Sequence, residues 1–206
     1  MTGAPSADGP HLRTPRLLLR PPTPHDLPAL CVLNADPAVM RYFPAPMQPD
    51  EVEAMRQRIE DHFRRCGFGF WAVERTADAA LIGLIGLAEV HFALRGRPWP
   101  PPEGARPAVE IGWRLIPSAW GQGYASEAAA EALRFGFEAL DLDELFSFTV
   151  PMNTRSWGLM ERLGLRRDPG GDFDHPRLPV GHPLRPHVLY RLGRADWTAR
   201  AGAART

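Results

Sequence analysis

The most regular alternation of hydrophobic and polar positions lies in the middle of the chain. Over residues 109–115, apolar side chains occupy every odd position, and Glu, Gly and Arg occupy the even ones. This period of two predicts a β-strand with one buried face. Pro117 ends the strand because proline has no amide hydrogen to donate. From residue 125 the chain is rich in Ala and Glu with apolar residues at helical spacing, which predicts a helix to Leu140.

The same patterns predict the other elements of the chain. Predicted strands cover residues 12–20, 68–74, 81–92, 144–150 and 188–192, and predicted helices cover residues 23–34, 49–66 and 153–163. Gly83 and Gly86 fall inside a predicted strand and indicate a bulge or a close approach of two backbones. The proline-rich stretches 93–107 and 172–187 are predicted to be loops.

The length of 206 residues fits one domain with short arms. Residues 1–11 are small, polar and proline-containing, and we predict a disordered N-terminal arm. Residues 12–197 form the predicted single domain, and residues 198–206 form a small polar tail. The sequence contains no internal repeats.

Composition narrows the function classes. The 24 basic residues, all of them Arg, balance 24 acidic ones, so no broad positive field is available for nucleic acid or an acidic membrane. The longest apolar run, residues 81–90, is far shorter than the ~20 residues of a membrane span. The N-terminus lacks the pattern of a signal peptide, so we expect a cytoplasmic protein. Cys31 and Cys66 are expected to be reduced thiols rather than a disulfide.

The segment between the central strand and the following helix carries the first candidate chemistry. Gly121 and Gly123 let the backbone approach a ligand closely, and a helix N-terminus with exposed amides favours an anion. The predicted ligand is therefore a pyrophosphate or a similar anion on the amides of residues 121–126. A Walker loop is excluded because the chain has no Lys, and Ser126 replaces the third glycine of the dinucleotide fingerprint. The alternative is a turn that needs glycine only for its dihedral angles.

This segment, Trp-Gly-Gln-Gly-Tyr-Ala over residues 120–125, resembles the acetyl-CoA-binding motif of the GNAT superfamily of N-acetyltransferases. Trp120 stands where many members have Gln or Arg. The sequence from Glu110 to Glu127 is similar to that of the RimJ/RimL ribosomal-protein branch. The first strand, Leu-x-Thr-x-Arg-Leu-x-Leu-Arg, also resembles that branch. A second family pattern begins at Asn153 and ends in Glu-Arg-Leu-Gly-Leu over residues 161–165.

The resemblance implies an α/β (α+β) fold, with a mixed, mostly antiparallel sheet of six to seven strands flanked by helices. Its central strand and the fifth strand would be parallel and splayed apart, and acetyl-CoA would enter the gap as co-substrate. The residues implied to bind the coenzyme are Leu115, Ile116, Trp120, Gly121, Gln122, Gly123, Tyr124, Ala125, Ser126, Asn153 and Trp157.

The implied reaction is direct attack of a primary amine on the thioester in a ternary complex. Glu110 is the candidate base, acting through water, with a surface carboxylate paired to Arg as the alternative. Glu89 and His91 are weaker candidates for the base. Many family members protonate the departing thiolate with a Tyr on the helix after the fifth strand; here Ser156 is the candidate donor, and a water is the alternative.

The acceptor is expected to be a protein N-terminus or a small-molecule amine, in a pocket lined by the first helices and residues 41–43 and covered by loop 172–187. A second hypothesis is a non-catalytic acyl-CoA-binding module, since the usual Tyr is missing. The three His and two Asp of loop 172–187 raise a third, a metal hydrolase, but its prolines exclude helical ligand spacing and we assign no metal ligand. A homodimer is compatible with the sequence.

Overall fold

The computed structural model describes residues 9–203 and contains six α-helices and nine β-strands in that part of the chain. The helices are α1 (Leu27–Ala35), α2 (Pro37–Met40), α3 (Pro49–Cys66), α4 (Tyr124–Glu138), α5 (Thr154–Leu163) and α6 (Arg194–Ala203). The strands are β1 (Leu12–Arg13), β2 (Leu17–Arg20), β3 (Phe70–Arg75), β4 (Ala80–Glu89), β5 (Val109–Leu115), β6 (Glu144–Thr149), β7 (Arg166–Arg167), β8 (Phe173–Asp174) and β9 (Pro186–Gly193).

The described chain divides into two compact units. The first unit contains residues up to Ala88 together with Gly112–Ala132, and the second contains Glu89–Ile111 together with residues from Leu133 onward. Strand β5 contributes residues to both units.

In the first unit, antiparallel strands follow the order β1, β2, β3 and β4, with the C-terminal half of β5 as the next neighbour. Helices α1, α2 and α3 supply most of the apolar core, because their buried residues pack together and against the sheet. This core contains Leu30, Leu33, Val39, Met40, Val52, Met55, Ala72 and Leu84.

In the second unit, the N-terminal half of β5 lies beside β6, and β6 pairs with β9 along all six of its residues. The β5–β6 ladder is parallel and has the single register pair Glu110↔Phe146, whereas the other ladders are antiparallel. This arrangement confirms the predicted mixed, mostly antiparallel sheet with a parallel pair. The sheet has nine strands, three of them only two residues long, rather than the predicted six to seven.

The structure corrects the predicted first strand, which is a hairpin of β1 and β2. Pro15 cannot donate to a ladder, and both the amide of Thr14 and the carbonyl of Leu17 turn inward to each other at 3.0 Å. The Thr14 side chain also accepts from the Leu17 amide at 3.1 Å. A single strand from residue 12 to residue 20 is therefore wrong.

Where the structure describes them, the two terminal segments contain more structure than the predicted disordered arm and polar tail. The predicted arm is described from Gly9, and Pro10 accepts a hydrogen bond from the Trp71 indole at 2.7 Å; residues 1–8 lie outside the described chain. Helix α6 includes residues 198–203 of the predicted tail. It is held by Trp197, whose ring stacks on Phe137 with centroids 5.1 Å apart.

Two further predictions concern single residues. Gly67 and Gly164 end α3 and α5 in the left-handed conformation, with φ of 75° and 95°, as expected of C-terminal caps. Cys31 lies in α1 and Cys66 ends α3, and neither forms a disulfide.

Within residues 9–203, no helix has both the length and the apolar character needed to cross a bilayer.

The predicted close approach at Gly86 is present between β3 and β4. A Cβ atom on Gly86 would lie 2.1 Å from the carbonyl oxygen of Gly69 and 2.4 Å from the Cα of Phe70. Both are main-chain atoms of the neighbouring segment, so relief requires a shift of the backbone.

We therefore expect Gly86→Ala to lower the free energy of unfolding by about 3 kcal/mol, because the added methyl group overpacks the strand pair. Gly193→Ala is the matched control, since its Cβ would meet nothing within 4 Å, and its change should stay within about 1 kcal/mol. Chemical denaturation of the three proteins measures both values. Equal stabilities for the two variants would contradict the close approach.

Candidate active site

The loop before α4 has the conformation that its glycines permit. Gly121 and Gly123 have φ of 72° and 82°, in the left-handed region that other residues rarely adopt. The dihedral angles alone thus explain why glycine occurs at both positions. A Cβ on Gly121 would meet no atom within 4 Å, so this side of the loop is open in the structure. The loop leads directly into α4, whose first amides have no partner in the preceding turn.

Two side chains of the predicted motif shape the loop from within. The Trp120 indole donates to the carbonyl of Leu115 at 2.8 Å, which ties the loop to the end of β5. The Gln122 amide donates to the carbonyl of Ser118. Both donors are therefore used inside the loop, and the main-chain amides are the groups that remain suited to an anion.

An ion pair with the N-terminal hairpin holds the start of α4. Arg16 donates to Glu127 through Nε at 2.7 Å and to the carbonyl of Gln122 through Nη1 at 3.1 Å. Its guanidinium lies 4.5 Å from the centre of the Tyr124 ring, and Thr14 donates to Glu127 at 2.6 Å. Sequence reasoning missed Arg16 as a site residue, because only the fold brings it to a loop more than a hundred positions away.

The pKa of Glu127 supports the same ion pair. Partial burial opposes ionisation of Glu127, but the hydrogen bonds from Thr14 and Arg16 hold the pKa of its carboxyl below the usual range. Glu127 is therefore ionised and paired with Arg16. A carboxylate in the first turn also interacts favourably with the helix dipole of α4.

At the end of β5, the amides of Leu115 and Ile116 point to opposite edges of the strand. The amide of Ile116 donates to the carbonyl of Ile82 in β4 at 2.9 Å, so it is used inside the sheet. The amide of Ile116 is therefore not available to a coenzyme. The amide of Leu115 points to the opposite edge of β5, because successive residues of a strand alternate between its two edges.

Glu110 lies in the second unit, where it is half-buried on β5. Burial raises the pKa of Glu110 to about 7, and the positive charge of Arg177 opposes this rise without cancelling it. A carboxyl with this pKa exchanges its proton near neutral pH, which suits a general base. The surface ion pair that was the alternative is absent from the described residues, where Glu110 forms no salt bridge.

The two weaker candidates for the base differ in environment. Glu89 is half-buried at the end of β4. His91 is exposed, and its ring packs edge-on against Trp99 with centroids 4.8 Å apart. Neither observation favours them over Glu110.

The start of α5 brings together three of the predicted residues. Asn153 occupies the N-cap position, but its side chain donates to Thr149 at 3.0 Å and makes no capping bond. The Trp157 indole donates to the carbonyl of Pro151 at 3.1 Å. Ser156 is half-buried in the first turn, and its hydroxyl has no hydrogen-bond partner among residues 9–203.

The family pattern at the end of α5 has a structural explanation. Glu161 accepts a hydrogen bond from the Tyr190 hydroxyl of β9 at 3.1 Å, which fixes the helix against the sheet of the second unit. A Cβ on Gly164 would lie 2.5 Å from Nε of Arg200, so a larger residue would displace that side chain.

The segment 172–187 is a closed hairpin between β8 and β9 rather than an irregular loop. Asp174 and Arg185 form an ion pair at 3.0 Å, and the amide of His175 donates to the carbonyl of Arg185 at 2.8 Å. Burial, together with the charges of His187 and Arg177, lowers the pKa of His175 to about 4. His175 and His187 pack with one another and with a cluster of aromatic rings: Phe92, Phe148 and Phe173.

The division into two units also separates the predicted site residues. Leu115 and the loop up to Ser126 belong to the first unit, whereas Glu110, Asn153, Ser156 and Trp157 belong to the second. Within the first unit, the structure brings Leu115 and Trp120 into direct contact.

Comparison with protein-family models decides the class of this site. Residues 16–166 match the acetyltransferase (GNAT) domain model, which covers more than half of the chain and includes the glycine loop and α5. The chain belongs to the GNAT acetyltransferase family. It is an acetyltransferase whose co-substrate is acetyl-CoA.

Curated relatives agree with this assignment. The FsC-acetyl coenzyme A-N(2)-transacetylase of Aspergillus fumigatus is 31% identical over 91% of this chain and 78% of its own length. The uncharacterized N-acetyltransferase YnaD of Bacillus subtilis is 28% identical over 91% of this chain and 99% of its own length.

Solved structures share the fold of this acetyltransferase. A GNAT-family acetyltransferase from Bacillus anthracis has a TM-score of 0.72 at 24% identity, covering 90% of this chain and 99% of its own. A putative ribosomal-protein-serine acetyltransferase from Vibrio cholerae has a TM-score of 0.67 at 20% identity, covering 89% of this chain and 97% of its own. The spermidine N-acetyltransferase of Vibrio cholerae, solved with CoA and spermine, has a TM-score of 0.67 at 20% identity, covering 90% and 99%.

The raised pKa of Glu110 makes a prediction about stability. Because the folded-state pKa of about 7 lies above the ordinary 4.5, folding favours the protonated form, and this contribution is lost as pH rises between those values. We therefore expect the wild type to lose stability relative to Glu110→Gln over that range, by about 1.4 kcal/mol for each unit of pKa difference.

Denaturation of both proteins between pH 4 and 8 measures this effect. Glu103→Gln, at an exposed carboxyl, is the control and should follow the wild type. Parallel curves for the wild type and Glu110→Gln would show that Glu110 titrates normally.

Proposed function

We propose that this acetyltransferase transfers the acetyl group of acetyl-CoA to a primary amine by direct attack in a ternary complex, and that it belongs to the RimJ/RimL-like branch of the family. The observation that carries the proposal is the open loop with Gly121 and Gly123 in left-handed conformations at the start of α4. Such a loop presents main-chain amides to an anion while adding no side chain that would exclude it.

The coenzyme-binding roles follow from the same geometry. The amides from Gly121 to Ser126 are assigned to the diphosphate of the coenzyme, with Arg16 holding the loop in place. Leu115 is assigned to a main-chain hydrogen bond with the pantetheine arm, because its amide lies on the edge of β5 away from β4. Asn153 and Trp157 are assigned to the same arm on the strength of the family pattern.

Acetyl-CoA supplies the thioester carbon that the acceptor amine attacks. Glu110 accepts a proton from the amine through a water, because only the neutral amine has a free electron pair. An α-amine with a pKa of ~8 loses that proton more readily than a lysine side chain at ~10.4. A carboxyl near pKa 7 is a suitable acceptor for either at neutral pH.

Ser156 is assigned as the proton donor to the departing thiolate. Its hydroxyl lies in the first turn of α5 and is not committed to another residue of the described chain. The new C–N bond replaces the C–S bond. One proton of the ammonium reaches Glu110 through the water before the attack, and the sulfur gains a proton from Ser156 or from a water. The second nitrogen-bound proton, lost as the amide forms, restores the proton that this donor gave up.

The acceptor is a protein N-terminus or a small-molecule amine. The names of the relatives cover different acceptors: one Vibrio cholerae structure is named for a ribosomal-protein serine and the other for spermidine, and the Aspergillus enzyme is named for FsC. Helices α1 and α3 and their connection, including residues 41–43, are the proposed lining for this acceptor, and an aromatic and arginine lining suits a polar amine.

The role of Glu110 predicts a specific pH profile. For the wild type, kcat/KM should rise with pH through about 7, as Glu110 loses its proton, and Glu110→Gln should lose this limb and about 100-fold in rate. Release of coenzyme A with an accepted amine measures the profile. Glu89→Gln is the control, and loss of the limb in this variant instead would move the role to Glu89.

The role of the loop predicts a specific loss of coenzyme binding. Gly121→Leu should abolish the heat of acetyl-CoA binding in calorimetry, because the side chain occupies the face where the diphosphate would lie. Gly104→Leu is the matched control: its φ is 77°, against 72° for Gly121, and its Cβ also meets nothing within 4 Å. Both variants carry the same backbone strain, so coenzyme binding by Gly121→Leu equal to that of the control would refute the loop assignment.

A further inference from the structure

One charged side chain in the first unit has no role in the proposed chemistry. Arg114 of β5 is half-buried beneath α1, α2 and α3, in the region whose apolar core those helices form. Its guanidinium donates through Nη1 to Asn34 at 2.5 Å, and its nitrogens approach the sulfurs of Met40 at 3.8 Å and Met55 at 3.5 Å. Thioether sulfur is a weak acceptor, so Asn34 supplies the one strong hydrogen bond.

The positive charge of Arg114 is not balanced. Among residues 9–203, no carboxylate lies within ion-pair distance of its guanidinium, and burial lowers the pKa of Arg114 to about 10. An arginine still carries its charge at neutral pH under these conditions. Leaving a charge in apolar surroundings without a counter-ion costs free energy, which is why buried charges are ordinarily paired.

Other arginines of the same unit follow the ordinary rule. Arg56 has a smaller exposed fraction than Arg114, but its guanidinium contacts Glu53 at 2.8 Å and Glu60 at 3.0 Å. Arg20 contacts Asp26 at 2.7 Å and Glu74 at 3.0 Å. Arg114 therefore departs from the pairing that this fold applies elsewhere.

Asn34 and Phe43 fix the position of the Arg114 guanidinium beside the segment proposed to line the acceptor site. Asn34 is fully buried and donates through Nδ2 to the carbonyl of Leu30 at 2.7 Å, so its oxygen is the atom that must face Arg114. Phe43 lies on the other side, with its ring centre 4.8 Å from the guanidinium carbon. Phe43 is partly exposed and belongs to the segment assigned to the acceptor, so Arg114 adjoins that segment.

We infer that Arg114 binds a carboxylate of the acceptor, so that the enzyme acts on amines that also carry an acid group. The fork of the guanidinium matches a carboxylate with two parallel hydrogen bonds, and Nε makes no hydrogen bond within the described chain. A carboxylate would supply the missing counter-ion. The same unpaired charge would disfavour a polyamine, which brings only further positive charge.

This inference rests on the proposed function, and its test uses matched acceptors. The probes are ω-amino acids with two to six carbon atoms, each compared with its primary amide at equal concentrations of the neutral amine, so that the spacing from amine to carboxylate varies while the carbon chain of each pair stays the same. We expect the wild type to give a lower KM for the acid of at least one pair.

Arg114→Met should raise the KM or Kd for that acid about 10- to 100-fold, because a charge-assisted hydrogen-bonded pair is lost. The change in kcat should be small, and the amide should be unaffected. Arg114→Lys should fall between, since it keeps the charge but loses the fork. Arg58→Met is the control, because it removes an exposed arginine of α3 and should change neither member of the pair.

Two readouts keep this test separate from the proposed function. Coenzyme A release measures turnover, and calorimetric titration of the acid into the protein with coenzyme A bound measures affinity without turnover. If no amine is acetylated, the proposed function fails, while acid binding that depends on Arg114 still decides the inference. It is overturned if the wild type treats acids and amides alike, or if Arg114→Met and Arg114→Lys weaken both equally.

Discussion

The ion pair between Arg16 and Glu127 is the contact on which the glycine-rich loop before α4 depends. Glu127 lies in the first turn of α4, and Arg16 also donates to the carbonyl of Gln122 inside the loop. One guanidinium thus ties the hairpin of β1 and β2 to both sides of the glycine-rich turn. Main-chain amides can bind an anion only when they converge on one point. The contacts of Arg16 with Glu127 and Gln122 hold the loop amides in one arrangement, so that they form a fixed set of donors. The ion pair also gives a physical reason for the Thr-x-Arg wording of the first strand.

Strand β5 shows how burial adjusts charge in opposite directions. Glu110 is kept partly protonated near neutral pH by its surroundings, so its proton is exchangeable when an amine must lose one. Arg114 remains charged despite burial, so it acts as a fixed positive site rather than as a proton carrier. The carboxyl of Glu110 can therefore change its charge near neutral pH and the guanidinium of Arg114 cannot, and the difference comes from the chemistry of the two side chains.

The sequence predicted what depends on local pattern. The alternation over residues 109–115 gave the central strand, and Gly67 and Gly164 marked the ends of α3 and α5. It failed where partners are distant. Nothing local shows that the amide of Ile116 is used by Ile82, that Arg16 reaches the loop, or that Asn34 and two Met side chains surround Arg114. The helical end of the chain was also missed, because Trp197 packs on a residue sixty positions away.

The hairpin between β8 and β9 has a consequence for where this chain can tolerate sequence change. Its tip from His175 to Arg185 closes on itself through main-chain bonds and the Asp174–Arg185 pair, and Val180 at its end is 88% exposed. Residues 179–183 at the end of the tip therefore contribute little to the cohesion of the sheet, whereas His175 at its base packs in the aromatic cluster. Insertions and replacements at residues 179–183 are cheap for folding, so this short segment is where related enzymes can diverge, and where a designer can graft new contacts, without rebuilding the catalytic framework.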